Sequence, residues 1–194
     1  PLPYTAGQYI KLELPSFGSR YFSLASAPCE SMLMVTTHIV EFSEYKLALM
    51  NLMLGDKVMI QVPPIKPFPL HSNSQAIFIA QGVGIAPFRS ILRDLAVTKS
   101  ASLNTNVLHI ANNTHAYRSE IKKLADSSFF TNSLQDFSYK IEQIVKDAPE
   151  SFYYISGSQS FVEETVESLE RYRIPKLNIM YHRQYKKSSS RAES

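Results

Sequence analysis

The sequence predicts a two-domain α/β fold, in which a small antiparallel β-barrel is followed by a five-stranded parallel sheet covered by helices. Three observations carry this reading. Residues 1 to 70 hold short strand-like runs interrupted by prolines, whereas from about Ser74 strand-like and helix-like segments alternate. Between the two patterns lies Pro63-Pro64-Ile65-Lys66-Pro67-Phe68-Pro69, a stretch that cannot pair regularly and marks a boundary. The domains are therefore placed at 1–70 and 71–185, with a basic tail at 186–194.

In the first domain Gln8 to Leu14 alternates apolar and polar residues, Arg20 to Leu24 is a compact strand, and Leu33 to Val40 and Lys57 to Val62 are apolar or β-branched. Leu47, Leu49, Met50, Met53 and Leu54 give Glu44 to Leu54 the spacing of a short helix. The chain opens at Pro1 directly before a strand, so the barrel is expected to lack its first strand, either because the N-terminus is absent or because this is a segment of a larger polypeptide. In the second domain strands are expected at Ala76–Ala80, Val107–Ala111, Phe137–Ile144, Phe152–Ser156 and Leu177–Tyr181, and helices at Pro87–Val97, Tyr117–Ala125 and Gln159–Tyr172. Parallel sheets of this kind receive ligands at the C-terminal ends of their strands, where Gly82–Pro87 and Gly157–Gln159 fall.

The most informative segment is Gln81-Gly82-Val83-Gly84-Ile85-Ala86-Pro87, which follows the apolar run Ala76–Ala80. Gly82 and Gly84 permit positive φ and close backbone approach, and Pro87 suits the first helical position, where no N–H is needed. Such a turn opens a helix N-terminus toward an anion. The spacing departs from G-x-G-x-x-G because a proline stands near the third glycine, so from spacing alone the segment is either a dinucleotide turn or an ordinary glycine turn.

Composition narrows the chemistry. A hydrophobic content of 44% with 19% charged residues fits a globular protein, and no apolar run approaches the roughly 18 residues that span a bilayer, which predicts a cytoplasmic protein. The net charge of +3 derives partly from Lys186, Lys187 and Arg191 in the tail, and the basic residues form no aromatic-interleaved stripe of a nucleic-acid surface. The lone Cys29 can make neither an internal disulfide nor an iron–sulfur cluster, and the histidines at 38, 71, 109, 115 and 182 lack metal-ligand spacing. Redox chemistry here calls for an organic cofactor.

Ala6-Gly7-Gln8-Tyr9, Arg20-Tyr21-Phe22-Ser23-Leu24-Ala25-Ser26, Gly82–Pro87 and Tyr154-Ile155-Ser156-Gly157-Ser158 occur in the order and spacing of the ferredoxin–NADP reductase superfamily, which the chain resembles over nearly its whole length. Within that superfamily it is closest in character to NAD(P)H flavin reductases and flavoprotein reductase components. The resemblance implies FAD, FMN or riboflavin on the barrel, NADH or NADPH on the second domain, and hydride transfer from nicotinamide C4 to flavin N5. It places Arg20, Tyr21, Phe22 and Ser23 against the flavin, with the Ser23 hydroxyl beside N5, and makes Ser23 and Ser156 the catalytic candidates. Gly82, Val83, Gly84, Ile85, Ala86, Pro87, Gly157, Ser158 and Gln159 are placed against the nicotinamide nucleotide.

Further positions follow from the same resemblance. His38, Ile39 and Val40 end a strand where relatives contact the flavin ring through their backbone, and His38 is equally readable as a packed strand residue. Tyr185 is the candidate aromatic covering the flavin. Asn113 stands where an arginine would select NADPH or an acidic residue NADH; neither is present, and NADH is favoured.

Three departures matter. Phe22 replaces a tyrosine. Ser43-Glu44-Tyr45-Lys46 replaces the Gly-x-x-Ser/Thr turn that receives the FAD pyrophosphate, with Lys46 either compensating in charge or simply solvated. Ser156-Gly157-Ser158 replaces Cys-Gly-Pro. The first two predict loosely bound flavin and the third an altered packing and hydride-transfer rate, which leaves two functional readings: a flavin-dependent NAD(P)H oxidoreductase, with an electron-acceptor protein as a further partner, or a non-catalytic regulatory or interaction module that retains the fold.

Overall fold

The computed structural model describes residues 2–39, 43–64, 68–72, 74–98 and 103–181. Its antiparallel half contains β1 (Tyr9–Leu14), β2 (Gly18–Ser23), α1 (Glu44–Met50) and β3 (Met59–Gln61), with the strands in the order β2-β1-β3. The alternation in β1 places Ile10, Leu12 and Leu14 inward, and cross-strand register puts Phe22 opposite Ile10 and Arg20 opposite Leu12. Tyr45 of α1 is buried beneath this face and donates its hydroxyl to the Leu12 carbonyl at 2.7 Å, which seats the helix on the sheet. Ile10, Leu12, Leu14, Phe22, Leu24 and Tyr45 form the core of this half.

The expected strand at Leu33–Val40 reduces, among the described residues, to a single bridge between Leu24 and Val35. The ladder stops there because the Met34 N–H donates to the Ser26 hydroxyl at 3.0 Å instead of to a strand carbonyl.

The parallel half comprises β4 (Gln75–Gln81), a 3₁₀ turn (Gly82–Ile85), α2 (Ala86–Thr98), β5 (Asn104–Ile110), α3 (Arg118–Leu124), β6 (Ser127–Thr131), α4 (Leu134–Asp147), β7 (Phe152–Ser156), α5 (Gln159–Arg171), a second 3₁₀ turn (Lys176–Asn178) and β8 (Ile179–Tyr181). All five strands are parallel, in the order β6-β5-β4-β7-β8. Ile77 and Ile79 pack with α4 and α5 on one face, whereas Phe78 packs with α2 and α3 on the other, so β4 is apolar on both sides.

Two assignments change. Phe137–Ile144, expected as a strand, is the interior of α4: Phe137, Ile141 and Val145 fall four residues apart and are buried, and the Ser133 hydroxyl caps the helix by accepting from Asp136 N at 3.2 Å. The strand at that point of the order is Ser127–Thr131, which pairs with β5. The last strand is shortened, because Asn178 N donates to the Pro175 carbonyl at 2.8 Å and winds Lys176–Asn178 into a turn.

Candidate functional site

Chain order and strand order diverge at β4. The chain proceeds from β4 to β5 on one side and later returns to β7 on the other, which leaves a crevice outside the C-terminal ends of β4 and β7. The turns Gly82–Ile85 and Ser156–Ser158 border that crevice, and three features fix them together. A Cβ at Gly84 would lie 2.4 Å from the Ser156 carbonyl oxygen and 2.9 Å from Gly157 N, so the neighbouring turn by itself excludes a side chain at Gly84. A Cβ at Gly157 would lie 2.6 Å from the Phe161 ring and 2.9 Å from Gln81 Cβ. Finally, Gln81 Oε1 accepts from the Ser158 hydroxyl at 2.7 Å and from Ser158 N at 3.2 Å. Ser158 also caps α5, accepting from Phe161 N at 3.3 Å.

Gly82 serves a different purpose. Its φ is +53°, which favours glycine, and a Cβ built there would meet nothing within 4 Å, so the side of the turn on which a side chain would stand is open. No side chain caps the 3₁₀ turn, and its first N–H groups have no intrahelical acceptor. The turn runs directly into α2, so Pro87 is the second residue of that helix and not the first. Ile85, Ala86 and Pro87 are buried while Val83 is exposed, which restricts the first three to backbone contact with anything in the crevice. Ser156 is half-buried at the end of β7, opposite Ala80. Gln159 is exposed and donates to Glu163 on its own helix at 2.8 Å. Asn113, beyond the end of β5, is exposed.

Two of the histidines that lack metal-ligand spacing, His109 and His115, underlie this turn. His109, fully buried in β5, donates from Nε2 to the Gly82 carbonyl at 2.9 Å, and its Nδ1 lies 3.2 Å from Nδ1 of His115. Burial pushes His109 down to about 4, with the Gly82 carbonyl opposing the shift and His115 adding to it. Burial, then the charge of Arg118, also lowers His115.

The antiparallel half presents its candidates with looser ties. Arg20 is exposed, donates to the Ser19 carbonyl at 2.8 Å and stacks its guanidinium over Tyr45 at 5.2 Å. Tyr21 is exposed and meets Tyr9 edge-on, with ring centroids 5.7 Å apart. Phe22, expected to offer a stacking face, lies instead in the core of its own sheet with its ring stacked on Tyr45, because its side chain shares the inward face with Ile10. Ser23 is half-buried at the end of β2. His38 and Ile39 are exposed, and the His38 carbonyl accepts from Lys46 Nζ at 2.5 Å. The Ser43 hydroxyl accepts from Lys46 N at 3.4 Å, capping α1 with its own residue. Val40 and Tyr185 lie outside the described residues.

A hydrogen-bonded seam joins the two halves. Gly7 N donates to Ser90 Oγ at 3.1 Å, and Ser90 Oγ donates to the Ser26 carbonyl at 2.6 Å. Gly7 has a φ of +79°, and a Cβ there would lie 2.9 Å from the Ile91 side chain. Beside it Arg89, only 5% exposed, donates to the Ala25 carbonyl at 2.8 Å and forms paired bonds to Glu30 and Glu120. Burial alone would lower the Arg89 pKa, but the two carboxylates outweigh it and raise it, while the Arg89 bond holds Glu30 below the usual carboxylate range. Ser23 stands three residues before Ser26, hence within about 11 Å of this seam even with the chain extended. A cavity of about 370 Å³ between Ala6, Phe68 and Leu95 coincides with none of the candidate residues.

No protein-family model matches the chain. Among curated proteins it is 27% identical over 124 residues to the β subunit of the heme-dependent oxidative N-demethylase of Ectopseudomonas mendocina, covering 62% of the chain and 40% of that protein. It is 33% identical over 102 residues to reductase component 1 of the terephthalate 1,2-dioxygenase of a Comamonas species, covering 50% of the chain and 29% of the relative. It is also 35% identical over 108 residues to the phenol hydroxylase P5 protein of Acinetobacter pittii, covering 49% and 28%. The matches thus span 28–40% of these relatives' lengths.

Among solved structures, the ferredoxin–NADP⁺ reductase of Neisseria gonorrhoeae with bound FAD and NADP superposes with a TM-score of 0.74 at 19% identity, covering 92% of this chain and 86% of that one. The flavohemoglobin-like FAD/NAD-binding domain of a Vibrio cholerae nitric oxide dioxygenase gives 0.71 at 22% identity, covering 93% and 85%. The two-domain fold is that of the ferredoxin–NADP reductase-like flavoprotein reductases.

Proposed function

We propose that the chain is an NAD(P)H-dependent flavin oxidoreductase, with the nicotinamide nucleotide in the crevice between β4 and β7 and the flavin against β2. The observation that carries this reading is the Gly82 turn, which no side chain caps and where a Cβ position would stand in open space, at the point where strand order reverses. Flavin, when bound, supplies the redox chemistry by accepting hydride at N5 from nicotinamide C4. The protein contributes position: the turn amides take up oxygens of the nucleotide, and the half-buried hydroxyls of Ser23 and Ser156 orient the reacting rings.

The donor set on the antiparallel side fits a loosely held flavin. Arg20 offers an exposed, always-charged fork for a phosphate, and the exposed Tyr21 ring can meet an aromatic ligand. The first turn of α1 is capped by Ser43, which leaves no open glycine turn there for a pyrophosphate. NADH is the favoured donor, because the exposed Asn113 carries no charge to pair with a 2′-phosphate. An electron-acceptor protein is proposed because curated relatives carry the names reductase component and β subunit.

The test is oxidation of NADH and NADPH by the purified protein with FAD, FMN or riboflavin and a dye acceptor, followed by absorbance. Turnover that is faster with NADH and severely reduced in Ser23→Ala supports the enzyme. No oxidation with any of the three flavins favours the non-catalytic module.

A further inference from the structure

We propose that His109 is a positioning residue for the Gly82 turn, a role that rests on the crevice binding a nicotinamide nucleotide. The argument starts from bond geometry. The Gly82 carbonyl can only accept, so Nε2 of His109, 2.9 Å away, carries the proton. In a trans peptide the carbonyl of one residue and the N–H of the next point in opposite directions across a rigid plane. No peptide bond among the described residues is cis, so a Gly82 carbonyl drawn inward to His109 turns the Val83 N–H outward, toward the crevice. The positive φ of Gly82 makes this orientation accessible, and the hydrogen bond from β5 holds it. Val83 N–H lies among the first amides of the turn, which have no intrahelical acceptor, and its residue is exposed. His109 therefore aims a donor at an acceptor oxygen of the nucleotide without touching the nucleotide itself.

The second ring fixes the first. With its one proton on Nε2, neutral His109 presents a lone pair at Nδ1, and the group 3.2 Å from it is Nδ1 of His115, which must then donate. His115 is held in turn by Phe130, whose ring meets both imidazoles edge-on, and Arg118 lies over the same Phe130 ring at 5.4 Å. Asn132 steadies the adjoining strand end through its bond to the Ala111 carbonyl. Rotation of either imidazole breaks this sequence of donors and acceptors, so the carbonyl has one partner in one orientation.

The experiment titrates ADP-ribose and NAD⁺ calorimetrically into the full chain and its His109→Phe and His109→Gln variants, and records side-chain ¹⁵N spectra of the unsubstituted protein. His109→Phe keeps a ring but removes the donor and is expected to weaken binding about five- to tenfold, the worth of one hydrogen bond, whereas the amide of His109→Gln restores affinity to within about twofold. A loss shared by both ligands assigns the acceptor to the pyrophosphate, and a loss confined to NAD⁺ assigns it to the nicotinamide carboxamide; either supports the role. The spectra are expected to show His109 as the Nε2–H tautomer, which a folding defect in the variants cannot counterfeit. An Nδ1–H tautomer, or unchanged affinity in His109→Phe when the unsubstituted protein binds, overturns the proposal. If the unsubstituted protein binds neither ligand, the nucleotide reading itself fails and takes this role with it.

Discussion

The two halves of the molecule prepare their candidate sites in opposite ways. At the ends of β4 and β7 the backbone is held before any ligand arrives: Gly84 lies against Ser156, Gln81 ties down Ser158 and His109 ties down Gly82. On the antiparallel half Arg20 and Tyr21 are exposed, Arg20 donating to the adjacent Ser19 carbonyl and lying over Tyr45, and Tyr21 meeting Tyr9 edge-on. The first arrangement places its cost in folding and gains preorganisation; the second leaves the ordering of side chains to the moment of binding. On the proposed function, the first would be the nucleotide site and the second the flavin site.

The largest expected effect comes from the seam that joins the halves. Arg89→Met leaves Glu30 and Glu120 without their buried partner and removes the tie to the Ala25 carbonyl. Loss of one member of a buried ion pair costs about 3–5 kcal/mol, and the partial exposure of both carboxylates puts the expected value near the lower end. Thermal unfolding is expected to shift down by about 10 °C, given 2–4 °C per kcal/mol for a chain of this size. A shift below about 3 °C would mean that the apolar contacts between Ala6, Phe68 and α2 join the halves without the ion pair.

Acid is expected to act on the parallel half through His109. Its folded pKa, about 4, lies below its ordinary 6.5, so the unfolded chain takes up a proton that the folded chain refuses. Stability from this group is complete above pH 6.5 and falls as pH drops toward 4, by about 2–3 kcal/mol between pH 6.5 and 4.5. Glu30, lowered by Arg89, also loses stability in acid, so the measurement is a difference. Urea unfolding across that range is expected to fall less steeply in His109→Gln than in the unsubstituted chain, and equal slopes would remove His109 from the account.

Gly84→Ala probes preorganisation directly. The added methyl has no flexible neighbour to displace, because the atoms it meets are the Ser156 and Gly157 backbone, and overpacking of this sort costs about 1–3 kcal/mol. Gly82→Ala meets no atoms but keeps an unfavourable φ, with an expected cost of about 1–2 kcal/mol. Denaturation midpoints of the two variants distinguish crowding from backbone strain.

What was legible in the sequence was local. Gly82, Gly84 and the apolar run before them announce a strand and a turn, because each residue's preference is expressed within a few positions. Phe137–Ile144 misled because aromatic and β-branched residues suit either element; the deciding signals were Ser133 as a cap and the four-residue spacing through Val145. Ser127–Thr131 carries two serines and a threonine, and its strand character comes from pairing with β5. The close approach expected at Gly84 is present, but the atoms it admits come from a turn more than seventy residues later, which no local pattern could name. Arg89 with Glu30 and Glu120, and His109 with Gly82, were illegible for the same reason: no spacing rule connects partners that only the packed sheet brings together.

The smallest effect tests the other side of the comparison. Among the described residues Arg20 makes a local backbone bond and a cation–π contact at an exposed position, and neither joins separate elements strongly enough to carry much stability. Arg20→Ala is therefore expected to move the unfolding midpoint by less than about 2 °C while weakening FMN or FAD about tenfold, the loss of one charge-assisted contact to phosphate. Riboflavin, which has no phosphate, is expected to bind both proteins alike. Fluorescence titration with the three flavins reads this out: equal weakening of riboflavin and FMN would place Arg20 against the ring or in the fold rather than against the phosphate, and an FMN affinity unaffected by the substitution would move the flavin phosphate away from β2.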